Sequence, residues 1–376
     1  MMPVTAAQEE PMSQSIPTGP HDLTPDWMTS ALRAADLLEE GSSVRDAQLT
    51  PVGQGVGVLC QLFRVALTYD GSATADAPAT VIAKLPSPER QTRDMAQAFK
   101  FYEREVRFYD ELAGSLAIPT PRAFMRAFDP ETGDFVLLLE DLGGLRMGDQ
   151  VVGASEADCD LLVRSLAQHH APWWNDPRLA RLTWLPTAGS DLNKSGMTLY
   201  PVALPGFLAA FGDQLPPAVV ALAERFVGAA DGILDRFERR DRTICHGDWR
   251  LDNFFFGTGD GQPPLMVIDW QIALQAPGTY DLGYFMSQSV DVHTRRKLER
   301  GLIDLYYDLL LEGGVRGYSR EQLLDDYRWT LLFCLAYPVM SAGMGDLANE
   351  RGVALNRAMT ERCLAAIEDW DCAALI

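Results

Sequence analysis

Ile244-Cys245-His246-Gly247-Asp248-Trp249-Arg250-Leu251-Asp252-Asn253 runs into Phe254-Phe255-Phe256, then Gly257-Thr258-Gly259-Asp260-Gly261, then Leu265-Met266-Val267-Ile268-Asp269. The two apolar runs suit the arms of a hairpin, and the glycines between them supply its turn. A hairpin brings its ends together, so Asn253 and Asp269 are expected side by side although 16 positions apart in sequence. Asp248 lies five residues before Asn253, on the loop feeding the first arm. Three oxygen-bearing side chains therefore converge on one point. Hard cations such as Mg²⁺ take oxygen ligands and keep some waters. Phosphoryl transfer uses a metal to bridge phosphates and a carboxylate to orient the acceptor hydroxyl. In that chemistry Asp248 serves the hydroxyl, while Asn253 and Asp269 hold Mg²⁺. A capped turn at His246-Gly247-Asp248 and a strand-end turn at Asp269 would be the plain alternative, but they do not account for the whole pattern. His246 suits a packed, hydrogen-bonded anchor of the loop.

The chain has 376 residues, enough for two domains at roughly 150 residues each. It is 47% hydrophobic and 22% charged, an ordinary globular balance. Lysine and arginine number 32 against 52 acidic residues, a net charge of −20. That balance speaks against nucleic-acid binding, which needs a positive surface; it suits solubility and would tolerate a cationic ligand. The cysteines at 60, 159, 245, 334, 363 and 372 form no Cys-x-x-Cys pair, and there is no His-Glu-x-x-His. Zinc is not expected, and the thiols read as reduced, buried groups of a cytoplasmic protein. Residues 1–20 are expected to be a flexible tail; they lack the basic start and apolar run of a signal peptide. No run of 18 apolar residues predicts a membrane span, and nothing calls for a protein partner.

Thr24-Pro25-Asp26 reads as the start of a helix running to about Glu40 and stopping at Gly41. Gly53-Gln54-Gly55-Val56-Gly57 follows, then strands over Leu62 to Tyr69 and Thr80 to Leu85. Glycines of this kind let backbone N–H groups approach phosphate oxygens. Lys84 sits inside the second apolar strand, where a lysine is costly unless paired or functional. A long helix is expected from about Arg93 to Ala113. Ala98, Tyr102, Tyr109 and Leu112 share one stripe of it, and Glu105 falls inside that stripe while Glu103 does not. Glu105 is thus the natural partner for Lys84. Another strand, Phe135 to Leu139, ends in Glu140-Asp141-Leu142-Gly143-Gly144, a break that marks a boundary. The segment Thr243 to Asp269 reads as two short strands around a turn within a pattern that is helical from Ser155 onward. The expected fold is α+β, with a β-rich unit over 21–139 and a mostly helical unit over 140–376.

The catalytic segment resembles that of the aminoglycoside phosphotransferase and choline kinase superfamily. Ser165-Leu166-Ala167-Gln168-His169-His170-Ala171-Pro172-Trp173-Trp174 and Ile268-Asp269-Trp270-Gln271 resemble its ecdysteroid-kinase-like branch. The resemblance covers about Leu49 to the C-terminus. It implies a protein-kinase-like two-lobed fold and ATP with Mg²⁺ as cofactors. It implies a nucleotide site made by Gly53, Gly55, Gly57, Lys84, Glu105 and the hinge around Glu140 and Leu142, with Lys84 on the α and β phosphates. It further implies that Asp281, in Gly278-Thr279-Tyr280-Asp281-Leu282-Gly283-Tyr284, holds the catalytic loop through backbone hydrogen bonds. Twelve positions separate Asp269 from Asp281, too few for the segment with which a protein kinase holds a peptide. The acceptor is therefore expected to be a small molecule with a hydroxyl, seated in the helical part between about Ala154 and Gly352. Trp173, Trp174, Trp184, Tyr200, Phe285, Tyr337, Met340 and Met344 in that part suit a bulky apolar or amphipathic alcohol, although any one of them suits a core as well. The acidic balance keeps an aminosugar or choline-like acceptor in view, and a nucleotide-binding pseudokinase is the rival of another class.

Overall fold

Thr24 caps the first helix: its hydroxyl accepts from the Trp27 N–H at 3.2 Å, and Pro25 takes the first helical position. The computed structural model describes residues 15–53, 59–70, 74, 76–345 and 349–376. Helix α1 (Pro25–Ala34) ends before the expected Glu40. Asp36 takes a left-handed backbone, φ 58°, while the Leu37 N–H bonds to the Leu32 carbonyl at 2.9 Å and the Asp36 N–H to the Arg33 carbonyl at 3.0 Å. This is a Schellman stop with aspartate in the place where glycine is usual. Of the tail expected over 1–20, residues 1–14 lie outside the described ones. Ser15 offers its carbonyl to Trp27 Nε1 at 3.0 Å, so the described end of that segment packs on α1.

Five strands form one antiparallel sheet in the order β1-β2-β3-β5-β4: β1 (Ser43–Val52), β2 (Cys60–Asp70), β3 (Thr80–Pro86), β4 (Ala123–Phe128) and β5 (Phe135–Glu140). Trp27, Met28, Ala31 and Leu32 of α1 share a core with Val65, Val81, Ala83, Val136 and Leu138 of the sheet. These elements make one compact unit, which extends through Gln97 and includes Arg122–Asp141.

The single helix expected over Arg93 to Ala113 is three pieces: α2 (Arg90–Ala98), α3 (Phe101–Arg107) and one π turn over Phe108–Leu112. Lys100 breaks the run with φ 57°. No glycine or proline marks that break, so it is set by packing rather than propensity. Ala98 is exposed in consequence, while Tyr102, Glu105, Tyr109 and Leu112 are buried.

The second compact unit comprises Ala98–Pro121 and Leu142–Ile376. After α3 it holds β6 (Arg146–Met147), α4 (Glu156–His170), α5 (Asp191–Met197), α6 (Tyr200–Phe211) and α7 (Pro217–Glu238). Four short strands follow: β7 (Thr243–Cys245), β8 (Phe254–Phe256), β9 (Leu265–Val267) and β10 (Leu274–Ala276). Helices α8 (Thr279–Gln288), α9 (Val292–Glu312), α10 (Arg320–Phe333), α11 (Ala336–Met344) and α12 (Glu350–Asp369) complete it. Every residue of α8 is buried, with α10 and α12 packed on it. β7 pairs with β10, and β8 lies between β6 and β9. The stretch Thr243 to Asp269 thus contains three strands rather than two, because Thr243–Cys245 pairs with Leu274–Ala276 beyond its end. Among the described residues no helix is long and apolar enough to cross a membrane.

Candidate active site

The hairpin at the heart of the sequence pattern is β8 and β9, with Phe254 opposite Val267. The Ile268 N–H donates to the Asn253 carbonyl at 3.0 Å. Asn253 and Asp269 consequently lie at the same end of the hairpin. Asp269 itself takes a left-handed backbone, φ 67°, a conformation that a non-glycine residue holds only where its surroundings demand it.

The loop between β7 and β8 is fixed by a carboxylate from α8. Asp281 stands in the first turn of that helix rather than at its cap, which is Gly278. It accepts from the His246 N–H at 2.7 Å and the Gly247 N–H at 2.9 Å. His170 Nε2 lies 3.3 Å from the same carboxylate, and His170 Nδ1 is 2.8 Å from the Tyr306 hydroxyl. Cys245 completes this buried group; its thiol points to the Pro277 carbonyl at 3.5 Å, and burial followed by Asp281 pushes its pKa well up. All three side chains are engaged in hydrogen bonds, His170 with Tyr306 and Asp281, Cys245 with the Pro277 carbonyl, and Asp281 with two backbone N–H groups, so the cluster serves as a hydrogen-bonded support.

Gly247 has φ +85°, and a Cβ there would lie 2.4 Å from the Ile272 carbonyl oxygen. The loop therefore needs glycine on two counts. Beside it, His246 Nε2 meets the Ile268 carbonyl at 2.9 Å, and His246 Nδ1 accepts from the Asp248 N–H at 3.1 Å. A carbonyl can only accept and an N–H can only donate, so the ring carries its proton on Nε2. Both nitrogens are committed, and His246 is an anchor of the loop.

Asp248 is gripped through both carboxylate oxygens. Oδ1 accepts from the Tyr284 hydroxyl at 2.7 Å. Oδ2 accepts from Arg250 Nε at 3.0 Å and Asn253 Nδ2 at 2.9 Å. Burial alone would raise the Asp248 pKa; Arg250, Tyr284, His246 and Asn253 outweigh it and hold the carboxyl below its ordinary value. Tyr284 shifts the opposite way, well above the usual phenol value, through burial and then the Asp248 charge. Arg250 also reaches Gln150 Oε1 at 3.2 Å and Asp252 at 3.6 Å.

The amide nitrogen of Asn253 is spent on Asp248, at its side chain and at its carbonyl, each 2.9 Å away. Its oxygen makes no hydrogen bond among the described residues. An amide oxygen and the Asp269 carboxylate are the hard donors that Mg²⁺ takes, so this pair fits the ion by its chemistry.

The remaining expected site residues are placed as follows. Gly53 is described, with φ +67°; Gly55 and Gly57 lie outside the described residues. Lys84 is on β3, which lies between β2 and β5, and it is 5% exposed. It is not an edge-strand lysine facing solvent. Glu105 is on α3 and 1% exposed, whereas Glu103 is half-buried between Lys100 and Arg107. Glu140 ends β5 and accepts from the Arg122 N–H at 3.1 Å, and Leu142 is buried.

The aromatic and methionine residues divide in two. Trp173, Trp184, Tyr200 and Phe285 are core, and Trp174 packs on Tyr318 with ring centroids 4.8 Å apart. Tyr337, Met340 and Met344 lie on one helical face of α11, partly buried at Tyr337 and 48% exposed at Met344. The Tyr337 hydroxyl is 3.4 Å from the Gly247 carbonyl, and its ring lies on that of Tyr284 with centroids 4.1 Å apart. The grip of Tyr284 and Arg250 on Asp248 is absent from the sequence expectations. For Tyr284 the signal was present: Asp281 and Tyr284 are three apart on one helix and face the same loop.

Residues 71–324, more than half of the chain, match the model of APH, the phosphotransferase enzyme family. The chain belongs to this family and is a phosphotransferase enzyme. Its fold is the two-lobed kinase-like one, similar to Plasmodium vivax ethanolamine kinase at 12% sequence identity, with TM-score 0.53 over 91% of this chain and 89% of that one. The wild-type aminoglycoside 2'-phosphotransferase-IIIa in its GDP complex is more loosely similar (TM-score 0.49, 16% identity, 88% and 93% covered). So is a choline kinase from Streptococcus pneumoniae (TM-score 0.47, 14% identity, 85% and 94% covered). No curated protein matches the chain. ATP with Mg²⁺ is the standard cofactor pair of the family.

Proposed function

We propose that this phosphotransferase moves the γ-phosphate of ATP to a hydroxyl of a small molecule, and that the acceptor is a bulky apolar or amphipathic alcohol. The observation that carries the reading is the Asp248 carboxylate, kept ionised on a loop anchored by Asp281. The acceptor hydroxyl hydrogen-bonds to Asp248, its oxygen bonds to the γ-phosphorus, and the bond from that phosphorus to the ADP oxygen breaks. The hydroxyl proton passes to Asp248. A carboxylate with a lowered pKa is a weak base, which suits a loose transition state in which orientation matters more than early deprotonation. Asn253 and Asp269 would hold Mg²⁺, which when bound neutralises phosphate charge. Gly53, Gly55, Gly57, Lys84, Glu105, Glu140 and Leu142 would serve the nucleotide, as in the resemblance.

The apolar acceptor is supported by Tyr337, Met340 and Met344, a face of α11 that starts at the catalytic loop. The ecdysteroid-kinase-like branch, carried by Ser165 to Trp174 and Ile268 to Gln271, points the same way. The test is a transfer screen with labelled ATP over sterols, amphipathic alcohols, aminoglycosides, macrolides, choline-like amines and sugars. Phosphorylation of apolar or amphipathic alcohols is expected. Transfer confined to amines and aminosugars would overturn the acceptor class, and binding of ATP without any transfer would favour a pseudokinase.

A further inference from the structure

Arg104 is a buried charge that the phosphotransferase reading leaves unused. It stands on α3 and is 3% exposed. A guanidinium has five N–H donors. Nη2 donates to the Phe99 carbonyl at 3.0 Å, taking up an acceptor freed where the helix breaks at Lys100. Nε is buried without a partner, and among the described residues no carboxylate forms an ion pair with the group. Burial draws its pKa down to about 10, with Tyr280 and then Glu103 opposing, so it remains charged at neutral pH. A buried cation with one carbonyl for company is costly unless a ligand meets it.

Tyr280 lies within electrostatic reach of Arg104, and its hydroxyl leads toward the catalytic loop. The Tyr280 hydroxyl is 3.0 Å from that of Tyr337, and the Tyr337 hydroxyl is 3.4 Å from the Gly247 carbonyl, one residue before Asp248. Tyr337 also begins the apolar face of α11. A polar relay and an apolar wall thus share one residue between Asp248 and the neighbourhood of Arg104.

We propose that Arg104 binds an anionic group, a carboxylate or a phosphate, carried by the amphipathic alcohol whose hydroxyl faces Asp248. The guanidinium fork matches both groups. A chain of net charge −20 repels anions at a distance, so an anionic acceptor requires a dedicated buried cation. Arg250 is not available for this, being held by Asp248, Gln150 and Asp252. The inference rests on the acceptor reading above.

The test uses the full chain and three probes of one body: hydroxyoctanoate, its methyl ester, and the phosphate monoester of octanediol. Acceptor KM and kcat are measured for the unmodified chain, Arg104→Gln and Arg104→Lys, with the nucleotide KM alongside. Esterification is expected to raise the acceptor KM on the order of ten- to a hundred-fold, as for loss of a charged hydrogen bond. Arg104→Gln should do the same to the anionic probes and leave the ester unchanged, and Arg104→Lys should recover part of the loss. The carboxylate and phosphate arms show which anion is preferred. Equal KM for acid and ester in the unmodified chain overturns the proposal without any variant, so a folding defect cannot shield it. An Arg104→Gln loss equal for charged and neutral probes overturns it too. Transfer to uncharged alcohols alone sinks this inference only; failure of every alcohol in the wider screen sinks the acceptor reading with it.

Discussion

Asp281→Asn tests the support of the catalytic loop with one atom changed. The carboxylate receives two backbone N–H groups, from His246 at 2.7 Å and Gly247 at 2.9 Å, in a buried setting. Hydrogen bonds to a charged acceptor contribute about 1.5–3 kcal/mol each. Asparagine keeps one oxygen, so one bond survives at the lower strength of a neutral pair. Its NH₂ faces the other N–H, donor against donor, and leaves a buried amide unpaired at a cost of about 1–3 kcal/mol. The expected loss is about 2–4 kcal/mol, which at roughly 2 °C per kcal/mol for a chain of this size lowers Tm by about 4–8 °C. Calorimetry of the full chain measures this, and hydrogen exchange read at His246 and Gly247 locates it. A Tm change below about 1 °C with unchanged exchange at both amides would refute the reasoning, because the carboxylate would then not be holding the loop.

Asp248→Asn should lower turnover by at least about a hundred-fold while nucleotide affinity stays nearly intact; equal loss of ATP binding would contradict its duty to the acceptor. For Asp269→Ala the expectation is the reverse, a weakened Mg²⁺–nucleotide affinity, and an unchanged Mg²⁺ dependence would remove Asp269 from the metal site. Tyr284→Phe deletes the bond to Asp248 Oδ1, so the Asp248 pKa should rise and kcat should fall about ten-fold with the nucleotide KM unmoved. The sign follows from linkage: the folded pKa of Asp248 is depressed, so its contribution to stability is present above the unfolded carboxylate value of about 4 and is lost as pH falls through the folded value. The acid side of the turnover profile should therefore move to higher pH in Tyr284→Phe, and an unmoved profile would separate Tyr284 from Asp248.

The arrangement around Asp248 was legible where it is local. A hairpin fixes which residues meet at its ends, so the neighbourhood of Asn253 and Asp269 followed from spacing and turn glycines. Strands β2, β3 and β5 were legible for a similar reason, as apolar runs of strand length. The break at Lys100 was not, because Phe99-Lys100-Phe101 carries no helix-stopping residue and the bend answers to packing. The end of α1 was missed because aspartate can take the left-handed turn usually given to glycine. Arg104 was invisible for another reason: an arginine in a helix with a charged neighbourhood reads as a surface residue, and its burial depends on the bend.

The Asp281 carboxylate also bears on how this enzyme acquires activity as it folds. It joins partners 35 and 111 residues away along the chain, and through His170 it reaches Tyr306, a further 136 residues from that histidine. Helices α4, α8 and α9 and the β7–β8 loop must all be in place before this knot closes. Loops of such length close late, since their entropy is spent before the contacts reward it. A refolding chain should therefore regain helical signal well before it regains transfer activity, and a truncation between Gln271 and α8 should leave the motif intact in sequence yet inert.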